Sequence, residues 1–172
     1  MVKGDGDVAW GQVLRDLQTG SAMRIYDGGK IKGEEFLAAR WHLMQTDKYM
    51  WPSVQTIRGC PKHCSFCSVW RTEGQKPRQR TFEKVIDEII DLMRMGFRFI
   101  ALADDNFYPV TMRGLCLARE QNNMERLESL TEIRRERFLL MAELAKLPKD
   151  MAFFTQITME SAEDSASCRS GV

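Results

Sequence analysis

The sequence carries no excess of charge of either sign: 25 lysines and arginines face 24 aspartates and glutamates, a formal net charge of +1. So even a balance gives no electrostatic reason for nucleic acid or an acidic membrane surface as main partner, and neither is expected. No apolar run approaches membrane-spanning length, and the opening "MVKGDGDVAW" has nothing of a signal peptide, so the expected location is the cytoplasm. Histidine is scarce, with His42 and His63 the only two. Cysteine is present but odd in number, and three of the five fall within eight positions. That clustering excludes an ordinary disulfide framework and points to metal binding or redox chemistry in a reducing compartment.

What is present suits one globular domain. The chain has 172 residues, 44% hydrophobic and 28% charged, enough for one sizeable core and too few for two ordinary domains. Asp7 is the expected N-cap of a short amphipathic helix in which Trp10, Val13, Leu14 and Leu17 share a face and Gly20 is the stop. Residues 21–52 lack a period and read as a connector, with His42 as a surface or packed histidine. "SVQTI" is a short β-branched strand running into "RGCPKHCSFCSVW". Thr81 then caps a helix whose apolar face is Phe82, Val85, Ile86, Ile89, Ile90 and Met93, ended by Gly96. "FRFIALAD" is expected as a strand buried on both faces, closed by "DDNFYP". A helical region in one or two pieces runs from about Met112 to Leu147, and residues 151–159 are a third strand. Strands alternating with helices predict a parallel α/β sheet, in which ligands gather at the carboxyl ends of the strands. Both the cysteine loop and "DDNF" stand there. Cys116 is expected as a small buried apolar residue.

Cys60, Cys64 and Cys67 are spaced C-x3-C-x2-C. Thiolates are soft donors suited to iron–sulfur clusters, zinc or monovalent copper. Structural zinc wants four protein ligands. Here the fourth would have to be His63, crowded against Cys64, or distant His42, Cys116 or Cys168. A cubane iron–sulfur cluster can instead be held by three cysteines, which leaves one iron open for other chemistry.

The cysteine spacing, the aromatic Phe66 before the third cysteine, and the wording "QTIRGCPKHCSFCSVWR…QKPRQRTFEKVIDEI…FIALADDNFYP" together resemble the radical S-adenosylmethionine (SAM) superfamily. More narrowly they resemble the radical SAM core of proteins with a cobalamin-binding domain before it. The resemblance covers roughly residues 50–160. It implies an enzyme with a partial (βα)6 barrel, about half of which this chain supplies. It also implies a [4Fe-4S] cluster on Cys60, Cys64 and Cys67, with SAM chelated to the fourth iron and cleaved reductively to a 5′-deoxyadenosyl radical. Cobalamin is a further implied cofactor of a full-length parent, and a flavodoxin or ferredoxin an implied electron donor. By the same resemblance Phe66 lies near the adenine of SAM; its alternative is packing on the underside of its own loop. Asp104 and Asp105 stand where many members meet the SAM amino group; their alternative is a cap or turn.

The implied organisation is a tail of a cobalamin-binding domain at 1–20, a connector at 21–50, the first half of the radical SAM core at 51–160, and an atypical tail at 161–172. That tail, and the open edge of a three-stranded sheet, lead to the expectation that the chain is a fragment. The basic loop around Arg71, Lys76, Arg78 and Arg80 reads as a solvated loop or as a contact for an anionic small-molecule substrate. Trp51 and Trp70 read as packing that shields the cysteine loop. A non-catalytic zinc or iron–sulfur module, and an inactive truncated product, are the alternatives to the enzyme.

Overall fold

The computed structural model describes residues 1–162, so Cys168 and the tail beyond residue 162 lie outside the described residues. The chain opens with a strand, β1 (Val2–Gly4), a helix, α1 (Gly6–Thr19), and a second strand, β2 (Tyr26–Gly29), parallel to the first. The expected helix is there, but it begins two residues earlier: Asp5 is the N-cap and Asp7 lies in the first turn. Its apolar stripe is also not covered, since Trp10, Leu14 and Leu17 are exposed and only Ala9 is buried. Of the connector expected at 21–50, Tyr26–Gly29 is strand β2, and residues 30–52 carry single 3-10 turns at Gly33–Glu35, Trp41–Leu43 and Thr46–Lys48.

The anticipated first strand of the core is split. Its first part, β3 (Ser53–Val54), joins the main sheet; its second, β4 (Ile57–Arg58), swings out to pair antiparallel with β5 (Arg78–Gln79). Between β4 and β5 lie the cysteine loop and a short helix, α2 (Val69–Thr72). After β5 come α3 (Phe82–Arg94), β6 (Phe99–Leu102), α4 (Met112–Glu120), α5 (Met124–Leu144) and β7 (Ala152–Thr155). The main sheet is parallel in the order β3-β6-β7, with Ser53 opposite Ala101 and Ala101 opposite Phe154.

The core lies on one face of that sheet. Val54, Ile100 and Leu102 meet Val85, Ile89 and Leu92 of α3 and Ile133 and Leu140 of α5. The spacing of Val85, Ile89 and Leu92 puts them on one stripe of α3, which is why the helix docks there. The long helical region is in two pieces, broken where Asn122 takes φ 50° and Asn123 caps α5 by accepting the Arg126 backbone N–H. Contrary to expectation, β6 is buried on one face only: Ile100 is sealed, while Phe99 keeps 39% and Phe154 on β7 keeps 54% of its surface. The helices cover the other side, so the architecture is α/β with an open sheet. No helix among the described residues is long and apolar enough to cross a membrane.

Candidate metal centre

The β4/β5 pair is the neck of the cysteine loop, with Arg58 opposite Arg78. Directly after the neck, Gly59 takes φ +91°, and a Cβ there would sit 3.0 Å from the Gly74 carbonyl oxygen. A side chain at 59 would therefore be strained both in backbone and in space. The Cys60 N–H donates to Gly74 O at 3.1 Å and the Cys67 N–H to Cys64 O at 3.2 Å. All three thiols are free; Cys60 and Cys67 are half-buried and Cys64 is exposed. They share one loop without yet closing around a point: among the described residues no three His, Cys, Asp or Glu side chains are within reach of one metal position.

The possible fourth donors are turned elsewhere. His63 lies against Trp70, ring centroids 3.9 Å apart, while the Trp70 indole N–H donates to Cys64 O at 3.2 Å. His42 is exposed on a 3-10 turn. Cys116 is exposed on α4 and not buried as expected, because the helix presents Ala118 to the core instead. Three soft thiols with no neighbouring fourth ligand among the described residues fit an iron–sulfur group held at three corners better than closed tetrahedral zinc. Trp70 does pack on the loop. Trp51 does not: it meets Phe99 edge-on, 5.7 Å between centroids, near the amino ends of the strands.

Phe66 is 92% exposed, so the expected alternative of packing beneath its own loop is not what the chain does. Asp104 and Asp105 follow β6 and part company. Asp104 is buried, and its carboxylate accepts the Thr56 N–H at 2.6 Å, the Thr56 hydroxyl at 2.5 Å and the Ile57 N–H at 3.0 Å. Those bonds replace the next rung between β3 and β6 and so produce the split strand. Burial pushes the Asp104 carboxyl above the ordinary aspartate range, opposed by these donors and by nearby Arg137. Asp105 is half-buried, and no described residue bonds to its carboxylate. Asn106 is buried with neither amide atom partnered.

Several residues that position the loop carry no local sequence signal. Arg137, buried on α5, donates to the Thr56 hydroxyl at 2.6 Å and to Gln79 Oε1 at 3.2 Å. Desolvation pulls its guanidinium down to about 10. Arg80, far from being solvated, is buried against Glu88 at 2.6 Å and donates to Gln55 O at 3.0 Å. Arg78 pairs with Asp5 and Glu73. Lys62, inside the cysteine loop, forms an ion pair with Glu160 beyond β7. Asp7 is held below the ordinary aspartate range by its hydrogen bond from Arg58. For Asp5 burial works upward, yet Arg78 and the Ile31 N–H win and its carboxyl is lowered.

Against known proteins, the model of the radical SAM superfamily matches residues 54–109, the span from β3 through the cysteine loop and α3 to the turn after Asp104 and Asp105. Over those residues the chain is similar to the radical SAM superfamily. Among its relatives, the hopanoid C-2 methylase of Rhodopseudomonas palustris is 35% identical over 68 residues, 39% of this chain and 13% of that protein. An uncharacterised methyltransferase of Synechocystis is 38% identical over 69 residues, 40% of this chain and 13% of that protein. A tRNA-2-methylthio-N(6)-dimethylallyladenosine synthase of Symbiobacterium thermophilum is 32% identical over 82 residues, 48% of this chain and 17% of that protein. The chain thus spans a small part of the length of the curated relatives it matches. No solved structure matches it.

Proposed function

We propose that the chain is the cluster- and SAM-binding part of a radical SAM enzyme, with Cys60, Cys64 and Cys67 as ligands of a [4Fe-4S] cluster. The single observation that carries this is three free thiols on one loop at the carboxyl end of a parallel strand, with the neighbouring His63 stacked on Trp70. When bound, the cluster and SAM supply one-electron reductive cleavage of a sulfonium to a carbon radical. The chain's own part is to bind and orient. Phe66 offers a bare aromatic face to the adenine, and Asp105 offers an unengaged carboxylate to the SAM ammonium. Asp104, whose oxygens are engaged by Thr56 and Ile57, acts one step back by holding the strand end from which both the loop and Asp105 project.

The partial barrel is part of the proposal, supported by the β3-β6-β7 order with helices on one side. The substrate class is a small molecule or nucleotide accepting a methyl or methylthio group, a reading supported by the names of the relatives. The electron donor is a small redox protein of the flavodoxin or ferredoxin type, and free close-spaced thiols support a cytoplasmic location.

The test is anaerobic reconstitution with iron and sulfide, followed by electron paramagnetic resonance of the reduced chain with and without SAM. A cubane signal that shifts on adding SAM is expected, with 5′-deoxyadenosine as product. A metal saturated by four protein ligands, or a signal blind to SAM, overturns the proposal in favour of a zinc or electron-transfer module.

A further inference from the structure

The two arginines that face each other across the neck of the cysteine loop reach the same turn at the start of the chain. Arg58 donates to both carboxylate oxygens of Asp7, at 2.8 and 3.3 Å. Arg78 bonds Asp5, which is sealed from solvent, and also donates to Ile31 O at 2.7 Å. Asp5 in turn accepts the Ile31 N–H at 2.8 Å, which locks the start of the connector to the same carboxylate. Both guanidiniums lie on the ring of buried Phe36, at 4.0 Å for Arg58 and 5.5 Å for Arg78. Lys30 reaches the far side of the loop, donating to the Thr72 carbonyl at the end of α2. Gly33 closes the contact: a Cβ there would lie 1.8 Å from Gln79 O on β5, so only glycine lets the connector come this near the neck.

We propose that the turn at residues 4–7 is a brace for the cluster loop, with Asp5 and Asp7 positioning Cys60 through Arg58 and Arg78. The register supports this. Arg58 is two residues before Cys60, and Arg78 is its partner across the ladder, so fixing both arginines fixes the two strands from which the loop springs. Charged hydrogen bonds are the strong kind, and the Arg78–Asp5 pair is largely shielded from solvent while the Arg58–Asp7 pair is more open. The β1-α1-β2 unit is therefore mechanically coupled to the thiols, and any displacement of that unit is felt at Cys60. This rests on the reading of the loop as a cluster site, but the brace itself is measurable on the thiols alone.

The experiment uses the full 172-residue chain in its metal-free form, under anaerobic conditions, with iodoacetamide as probe and mass spectrometry resolving each cysteine. Cys116, exposed on α4, is the internal reference. Asp7→Asn and Asp5→Asn are expected to raise the alkylation rate of Cys60 relative to Cys116 by roughly ten-fold, the scale of one charged hydrogen bond lost from a closed local state. Asp7→Glu, which keeps the carboxylate, is expected to recover most of the protection. Should Asp5→Asn fail to fold, Asp7→Asn and Lys30→Met still decide the matter. A Cys60 rate equal to that of the unchanged chain in folded Asp7→Asn and Lys30→Met overturns the brace, as does a lowered melting temperature with no change in Cys60. Chelator stripping of iron from the reconstituted chain should speed up in the same variants. A cluster that ignores SAM would sink the radical SAM reading while leaving the alkylation result to stand by itself.

Discussion

Phe66 presents nearly its whole ring to solvent between two cysteines, so its replacement has little folded structure to disturb. Phe66→Ala is expected to leave cluster content and melting temperature unchanged while weakening SAM binding by about 1 kcal/mol, read as a several-fold higher dissociation constant. Loss of any one of Cys60, Cys64 or Cys67 to Ala should abolish the iron–sulfur chromophore after reconstitution, whereas Cys116→Ala should not. Asp104 makes a prediction of the opposite kind. Its carboxyl is raised in the folded chain by burial, so the folded state holds the proton longer than the unfolded one. Its contribution to stability is fully present below the ordinary aspartate pKa and is lost as pH rises through the raised value. Replacing it by Asn should flatten the fall in unfolding free energy over that window, with Arg137, the charged group facing it, otherwise unchanged. Denaturant midpoints across pH measure this, and an identical profile in the variant would refute it. Cys60, Cys64 and Cys67 stood out as candidates because their spacing is itself chemical. Arg78, Arg80 and Arg137 did not, because their partners Asp5, Glu88 and Thr56 are distant in sequence or hidden within ordinary helix surface.

At the scale of elements, α3 was legible because a 3.6-residue period survives over several turns. On α3, Ile89 is fully buried between the sheet and its neighbours, and Ile89→Ala is expected to cost about 3 kcal/mol by thermal or denaturant unfolding. The strands were less legible. β1 is three residues long with a glycine at its end, too short to show alternation, and it becomes a strand only by pairing with β2. The break between β3 and β4 is likewise tertiary, since the carboxylate that causes it arrives from residue 104. At the neck, Gly59→Ala should lower stability by roughly 1–3 kcal/mol, because alanine is forced into a left-handed backbone against the Gly74 carbonyl. A variant as stable as the parent, or one with an unperturbed loop by amide hydrogen exchange, would show that the turn is not under that constraint.

For the molecule as a whole, the telling feature is the bare face of the main sheet. Phe99 and Phe154 stand on it, Trp51 packs edge-on against Phe99, and β3 and β7 are its edge strands. Uncovered apolar faces and unpaired parallel edges favour association. Purified as it stands, the chain is expected to self-associate in light scattering, and Phe99→Glu with Phe154→Glu to shift it toward a single monomeric species. The pattern of "FRFIALAD" did not disclose this face, because an apolar run looks the same whether one side of a strand is covered or both.

The split strand also changes how the loop can be steered. In a continuous strand the heading of the downstream chain is written into many backbone bonds and is hard to alter piecemeal. Here the departure of the chain from the main sheet is held in part by the two oxygens of a single side chain, borrowed from the neighbouring strand's end. A substitution at that one codon would therefore bear on where the chain leaves the sheet, without touching the sheet's own backbone bonds.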